Sequence, residues 1–406
     1  MKVLKGVISV NRFCESIRNK AFWSFHNILV YGIRKNLNDI NFHLCSLSPT
    51  EVNKKHHSYL SKILNHAIQT TPYYNDLNMN LPLERFPVVN KSIIKDSFER
   101  FRSETYQNKP YIKMTTSGST GTPFTIYQNK NKKNRNYADT VFFADLAGYK
   151  IGQRLVYLKI WVEKNMSCKL KYWFQNIVPI DVLYFNDQKI ESLINQMKSS
   201  RSTYSILGYA SALELICNYL DRRDSGPVQA NVRSIIAISE TLNDYTKSTM
   251  EKYFGTPVVS RYSNLENGII AQQESNETNR FLINTASYHI EILDMNSDER
   301  LNDGELGRIV LTDLFNYAMP MIRYDTGDIG AIETDPLNRT RKYFSKIEGR
   351  KLDMLYDTRG KLVSSYIVYK NMWQYTEIDQ YQLIQEDKKH YIFKINSKSE
   401  FQREGQ

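Results

Sequence analysis

The sequence predicts an α/β protein in which a doubly wound parallel sheet carries a smaller antiparallel unit. Three observations predict it. Between residues 188 and 262, strand-like and helix-like stretches alternate; the strand-like stretches are continuous apolar runs; and from about residue 280 the alternation gives way to strands separated only by turns. Continuous apolar strands interleaved with helices mark a parallel sheet, because such strands are buried on both faces.

The elements follow in chain order. Trp23 to Ile33 is apolar but interrupted by His26 and Asn27, and shorter than the ~20 residues that span a bilayer. It reads as an amphipathic helix that either packs on the body of the protein or lies on a membrane surface with help from Lys and Arg. No small-residue cleavage site follows a long apolar core, so a signal peptide is not expected. "SPTE" predicts a helix start, with Ser48 as N-cap, Pro49 at the first helical position and Glu51 closing a capping box. Tyr59, Leu60, Ile63, Leu64, Ala67 and Ile68 then recur at helical spacing. "YIKM" and "TIYQN" read as strands flanking a polar loop, and "ADTVFFADLAGYK" as a helix stopped by Gly148. Next come "IESLINQMKS" (helix), "TYSILGY" (strand), "SALELICNYLDRR" (helix), "VRSIIAIS" (strand), "NDYTKSTMEKYFG" (helix closed by Gly255) and "TPVVSRY" (strand). "RFLINTASYHIEILDM", "GRIVLTDLF" and "MIRYDTGDIGAIE" form the antiparallel part, and residues 381–395 read as a hairpin.

At 406 residues the length suggests roughly two or three domains. Hydrophobic content of 41% excludes a disordered chain. The net charge of +11 points to nucleic acid, an anionic membrane or an anionic small ligand. Basic residues are spread widely, densest in "KNKKNR" (130–135), with no arginine-rich tract and no zinc-finger spacing, which argues against nucleic acid. Cys14, Cys45, Cys168 and Cys217 lie far apart and no HExxH pattern occurs, so neither a disulfide framework nor a structural metal is expected, and a cytoplasmic setting fits.

Four places carry candidate chemistry. "TTSGSTGTPF" (115–124) crowds glycines and hydroxyls between two strands, either to cradle a phosphate or as a polar surface hairpin. In a parallel sheet, ligands bind at the carboxyl ends of strands, which singles out Gly208–Ala210, Ser239–Thr241 and residues 262–268. There Glu266 could hold Mg²⁺ or simply begin a helix, and Tyr262 could stack on a base. Asp328 in "RYDTGD" sits in a glycine turn, where it could accept from ribose hydroxyls or close an Asx turn. Arg350 in "EGRKLD" could reach a phosphate or remain a solvated surface arginine. The chain has no GxxxxGK[ST], against a P-loop kinase or NTPase.

The order and spacing of these motifs resemble the adenylate-forming enzymes, and within them the phenylacetate–CoA ligase and CapK-type branch, over essentially all of residues 45–395. "LNHAIQTTPYYND", "RFPVVNKSIIKDSF" and "LGYASALELI" share the likeness. The resemblance implies a large nucleotide- and acyl-binding domain (1–348) and a partial C-terminal domain (349–406) after a hinge near Leu352. It implies a phosphate loop at Thr116, Ser117, Gly118, Ser119, Thr120, Gly121 and Thr122. It places Ser239, Glu240 and Thr241 beside the adenine, Tyr262, Ser263 and Asn264 at the nucleotide, Glu266 on Mg²⁺, Asp328 on the ribose, and Arg350 at the domain junction. Thr116, Glu266 and Arg350 are then the catalytic candidates. The implied cofactors are ATP, Mg²⁺ and coenzyme A. The implied reaction joins a small-molecule carboxylate to AMP and then passes the acyl group to a thiol, in surface or capsular polysaccharide biosynthesis. The alternative is a nucleotide- or acyl-binding protein with impaired turnover on the same scaffold.

The sequence departs from the family pattern at four points. Phe124 stands where many relatives have Lys, Ser263 where they have Gly, and Leu352 at the hinge acid, with Asp353 one later. The chain stops at Gln406, where relatives continue into a mobile domain bearing a lysine. Slow adenylation and slower thioester formation are expected from the last two.

Overall fold

The computed structural model describes residues 15–24, 32–115, 124–161, 172–173, 175–274, 279–350, 355–356, 358, 362–363, 378–387 and 389–397. A hairpin of β1 (Ile112–Thr115) and β2 (Thr125–Gln128) stands apart from the main sheet. That sheet contains β3 (Arg154–Lys159), β4 (Ile177–Asp181), β5 (Tyr204–Tyr209), β6 (Val232–Ile238) and β7 (Val258–Asn264). It continues with β8 (Gly268–Gln273), β9 (Phe281–Ile283), β10 (Tyr288–Leu293), β11 (Gly307–Asp313), β12 (Tyr324–Thr334) and β13 (Lys342–Arg350). Spatially the order is β10-β11-β12-β13-β9-β8-β7-β6-β5-β3-β4.

The α/β expectation holds, but the sheet changes character at Arg261, earlier than the change expected near residue 280. β3 to β7 pair in parallel. β7 is the seam: Val258–Ser260 pair in parallel with β6, while Arg261–Asn264 pair antiparallel with β8. β8 to β13 are antiparallel throughout. The crossover helices Asp187–Ser199, Ala210–Arg222 and Asp244–Phe254 share one apolar core with β3, β5 and β6. Successive right-handed crossovers moving one way along a sheet put their helices on the same face. Ala147, Leu207, Ile236, Ile238 and Val259 form a second, smaller cluster. Gly208 lies opposite Leu158, where a Cβ would come within 2.8 Å of the leucine Cβ.

Side-chain caps set two of the crossover-helix starts. Asn186 accepts from Lys189 N–H and Asn243 from Thr246 N–H, and Gly255 closes its helix in the left-handed region at φ 62°. The helix Pro49–Thr70 differs from expectation. Ser48 is its N-cap residue and Pro49 opens it, but the Ser48 side chain makes no capping bond; its own N–H is held by Ser46 Oγ at 3.1 Å. Near the N-terminus a helix spans 15–24. Glu15 accepts from Thr203 N–H, Asn19 donates to Ile151 O, and Trp23 packs on the core containing Phe142 and Tyr343. This described part therefore packs on the body, whereas residues 25–31 lie outside the described residues. No described helix is long and apolar enough to cross a membrane. The hairpin expected near 381–395 is present as Ile378–Gln385 and Tyr391–Ser397.

The basic run 130–135 is the main surprise. It opens the helix Lys130–Leu146, and Lys132 and Arg135 are wholly buried. Lys132 Nζ lies 2.6 Å from Asp313 Oδ2 and donates to Tyr288 OH at 3.0 Å. Arg135 donates to Asp39 Oδ2, Ser287 Oγ and Ala286 O, and stacks over Phe315 at 4.2 Å. Removing one partner of a buried pair leaves an uncompensated charge, at a cost of about 3–5 kcal/mol. Lys132→Met is therefore expected to lose about that much stability in urea unfolding, because Asp313 is itself fully buried. A loss below about 1 kcal/mol, the range of exposed pairs, would show that the pair does not hold the fold.

Candidate functional site

The carboxyl ends of β5, β6 and β7 lie side by side, since Tyr209 pairs with Ile238 and Ala237 with Ser260. Ser239, Glu240 and Thr241 leave β6 there and are exposed, with Ser239 at φ 69°. Glu240 turns back, accepting at 2.7 Å from Ser211 N–H in the first turn of the helix Ala210–Arg222. A carboxylate is favoured at a helix N-terminus, so this contact ties two strand ends together.

At the end of β7 the ladder to β8 shifts register between Tyr262 and Ser263. The chain then makes a tight turn through Glu266 rather than a helix, and Asn264 Oδ1 accepts from Asn267 N–H at 2.8 Å. Glu266 is buried, at 2% exposure. Its backbone carbonyl accepts from Gln128 at the end of β2, which ties the turn to the hairpin carrying the 115–124 loop. Its Oε1 accepts from Tyr324 OH at 2.8 Å and lies 3.0 Å from Lys91 Nζ. Asn267 beside it is fully buried, with both polar atoms of its side-chain amide unpartnered.

Asp328 arrives from the antiparallel side. Its glycine turn proves to be a bulge inside β12 rather than a turn between strands. Val310 pairs with Asp325 and Arg308 with Ile329, so Thr326, Gly327 and Asp328 are extruded, with Gly327 at φ 82°. Thr326 Oγ1 donates to Ile309 O and accepts from Asp328 N–H, and Asp325 Oδ1 accepts from Gly327 N–H. These bonds satisfy the bulge internally. Tyr262 OH donates to Asp328 Oδ2 at 2.5 Å. Burial, and then the Asp328 charge, hold the Tyr262 phenol well above its ordinary pKa, so it stays a donor. Arg350 ends β13 opposite Asp328 in the backbone ladder. The structure thus brings Tyr262, Glu266, Asp328 and the backbone of Arg350 to one mouth, with Ser239–Thr241 beside it.

Thr116, Ser117, Gly118, Ser119, Thr120, Gly121 and Thr122 lie outside the described residues. Their flanks pair as β1 and β2, with Thr115 opposite Thr125. Phe124 is buried, and Lys91 Nζ lies 5.8 Å from its ring centroid.

Sequence reasoning missed Lys91. A parallel bridge between Val89 and Tyr324 carries it in: Val89 N–H donates to Arg323 O, and Asp325 N–H to Val89 O. Asn90 caps the short helix Lys91–Asp96 by accepting from Ile93 N–H. Arg323 anchors this crossing from a strained φ of 49°, donating to Glu84 O and Phe86 O and pairing with Glu291. The only sequence signal was the motif "VVNKSIIKD" itself, which carries no chemistry in isolation.

Tyr324 and Lys91 both meet Glu266 at Oε1, which leaves Oε2 as the oxygen that could meet magnesium, a cation that keeps waters and substrate phosphates around one or two carboxylates. Among the described residues no group of three His, Cys, Asp or Glu side chains forms a protein-only metal cage.

No protein-family profile matches the chain. It is 22% identical to Protein CapK of Staphylococcus aureus over 293 residues, covering 70% of this chain and 62% of that protein. It is 22% identical to a phenylacetate–coenzyme A ligase of Pseudomonas putida over 306 residues, covering 72% of this chain and 69% of that protein. Among solved structures it matches 2-hydroxyisobutyryl-CoA ligase. The match to the postadenylation state with R3-HIB-AMP has a TM-score of 0.66 at 15% identity, covering 86% of this chain and 79% of that one. The open conformation with 2-HIB-AMP and CoA gives 0.65 at 16% identity, covering 86% and 85%. The chain therefore spans 62% of CapK and has the fold of adenylate-forming acyl-CoA ligases, with sequence resemblance to CapK and the phenylacetate–CoA ligases.

Proposed function

We propose that this chain activates a small-molecule carboxylate with ATP, forming an acyl-adenylate and pyrophosphate, and passes the acyl group to a thiol such as coenzyme A. The observation that carries the reading is the meeting of Tyr262, Asp328, Glu266 and Lys91 at one mouth, beside the hairpin that holds the Ser/Thr/Gly loop. A role in surface or capsular polysaccharide biosynthesis rests on the likeness to CapK, and a cytoplasmic setting on the scattered cysteines.

Each residue has a physical task. Asp328 accepts from the ribose hydroxyls, its carboxylate oriented by the Tyr262 hydroxyl. Tyr262 and Ser239–Thr241 border the base, and Ser263 and Asn264 shape the turn beneath it. Glu266 holds Mg²⁺, whose charge offsets that of the phosphates. Lys91, 43% exposed, supplies a cation beside Phe124, where many relatives carry a lysine on the loop. Thr116 to Thr122 give backbone and hydroxyl donors to the phosphates, and Arg350 reaches the junction from the end of β13. Donors and cations already in place stabilise charge that develops as the carboxylate attacks, without reorganising at the moment of reaction. The division after residue 348, with a hinge near Leu352, belongs to this proposal.

The deciding experiment measures pyrophosphate release with ATP across a panel of carboxylates, and acyl transfer to coenzyme A. Carboxylate-dependent release is expected; ATP binding with no release for any acid would favour the impaired, binding-only alternative. Asp328→Ala is expected to weaken ATP binding in calorimetry, at about 1.5–3 kcal/mol for each charged hydrogen bond lost; unchanged affinity would remove Asp328 from the ribose. For Lys91→Ala, pyrophosphate release should slow by about 10²-fold, with a smaller change in ATP affinity, as for loss of a group acting on transition-state charge. Equal losses in both would make Lys91 a ground-state binding residue instead.

A further inference from the structure

Away from this mouth, a cleft of about 320 Å³ opens where the first helices meet β9, β10 and β13. Arg300, Arg339 and Lys342 line it, and among the described residues no ion pair closes on any of the three. Four histidines, His43, His56, His57 and His289, line it too. Val52, Ile283, Ile290 and Ile332 give it an apolar wall.

The histidines of the cleft wall are ordered by hydrogen bonds. His56 Nδ1 lies 3.1 Å from Thr285 O, and a carbonyl can only accept, so this nitrogen carries the proton. His56 Nε2 then accepts from His289 Nδ1–H at 3.0 Å. That leaves His289 Nε2 as a lone pair in the neutral ring. His43 donates from Nδ1 to Asp39 O, and its Nε2 is buried without a partner, in a residue only 1% exposed. Thr285 Oγ1 is likewise buried and unpartnered. Those two atoms have almost no accessible surface and lie behind the cleft wall, whereas the His289 Nε2 lone pair is not among the sealed atoms and is the imidazole acceptor that a ligand can meet.

We propose that this cleft binds a small organic phosphate monoester. Its phosphate sits among Arg300, Arg339 and Lys342, and its body lies on the Val52–Ile283–Ile290–Ile332 wall. Three cations that close no ion pair favour a dianion over a single carboxylate, although Asp303 and Glu291 lie within electrostatic reach of Lys342 and Arg300, and a hydroxyl on the ligand's body can donate to an imidazole lone pair. Burial first, and then neighbouring positive charge, push His56 down to about 4 and His289 to about 3, so both rings are neutral at pH 7 and can accept. A divalent metal fits less well, because Arg300 and Lys342 stand against His289 and repel it. The proposal does not depend on adenylation.

Phenyl phosphate is the probe. Its binding to the full chain is measured by calorimetry and by imidazole C–H shifts in histidine-labelled protein. Saturable binding with shifted His56 and His289 signals is expected. Arg300→Ala/Lys342→Ala should bind about tenfold or more weakly, since charge-assisted bonds to phosphate are lost. The charge-preserving pair Arg300→Lys/Lys342→Arg should bind like the parent, and so should Asp328→Ala. The proposal is overturned by an absence of saturable binding, by loss in Asp328→Ala with retention in Arg300→Ala/Lys342→Ala, or by histidine shifts that Zn²⁺ alone produces and phenyl phosphate does not.

Discussion

The burial of two cations, Lys132 and Arg135, constrains the rest of the molecule. Taking an ammonium and a guanidinium fully out of water costs several kcal/mol each unless partners meet them. Those partners come from three separate regions. Asp39 belongs to the helix Ile33–Cys45, Ser287 and Ala286 precede β10, and Asp313 ends β11. Asp313 is itself fixed, since its other oxygen accepts from Phe315 and Asn316 N–H. A well-packed apolar replacement of such a network could match its stability. A slip of the helix against the sheet would strand a charge, so the network penalises alternative arrangements. The effect reaches the mouth in two steps: Lys132 donates to Tyr288 OH, and Tyr288 OH donates to Asn267 O, next to Glu266.

The mouth is built from interruptions of regular structure. β7 shifts register at Tyr262, and β12 extrudes Thr326–Asp328. Each interruption frees a side chain from strand alternation and aims it across the seam between the parallel and antiparallel halves. Held donors make the arrangement stiff before a ligand arrives: Tyr262 on Asp328, Tyr324 on Glu266, Gln128 on the Glu266 carbonyl. Tyr288, whose OH donates to Asn267 O next to Glu266, is also among the residues lining the cleft of Arg300 and Lys342.

Much of this was legible in the sequence, for identifiable reasons. Apolar periodicity reports burial directly, so the strands Tyr204–Tyr209 and Val232–Ile238 and the helices between them follow from it. Turn chemistry placed Gly255 and the stretch around Asp328, although glycine at positive φ serves a bulge as well as a turn. What escaped was polar burial. Lys132, Arg135 and Asp139 occupy inward positions at helical spacing, and a pattern that counts only apolar residues reads that face as solvated. Lys91 and the His56–His289 pair escaped for a different reason. Each depends on residues far apart in the chain, so no local pattern assigned a role to Lys91 or to the two histidines.

The net charge of +11 acquires a place from this arrangement. A nucleic-acid stripe would need clustered, exposed basic side chains, and the densest run spends two of its cations in the interior. Arg323 is likewise buried and paired with Glu291. Other cations stand at the two proposed ligand sites, Lys91 beside Glu266 and Arg300, Arg339 and Lys342 in the cleft. Low-dielectric walls focus the field of such groups, so a concave site attracts small anions more than the same charges would on a flat surface. The proposed ligands, ATP, a carboxylate, coenzyme A and a phosphate ester, are all anions. Under the proposed function, positive charge held in clefts, where screening by salt is weakest, would help to gather them.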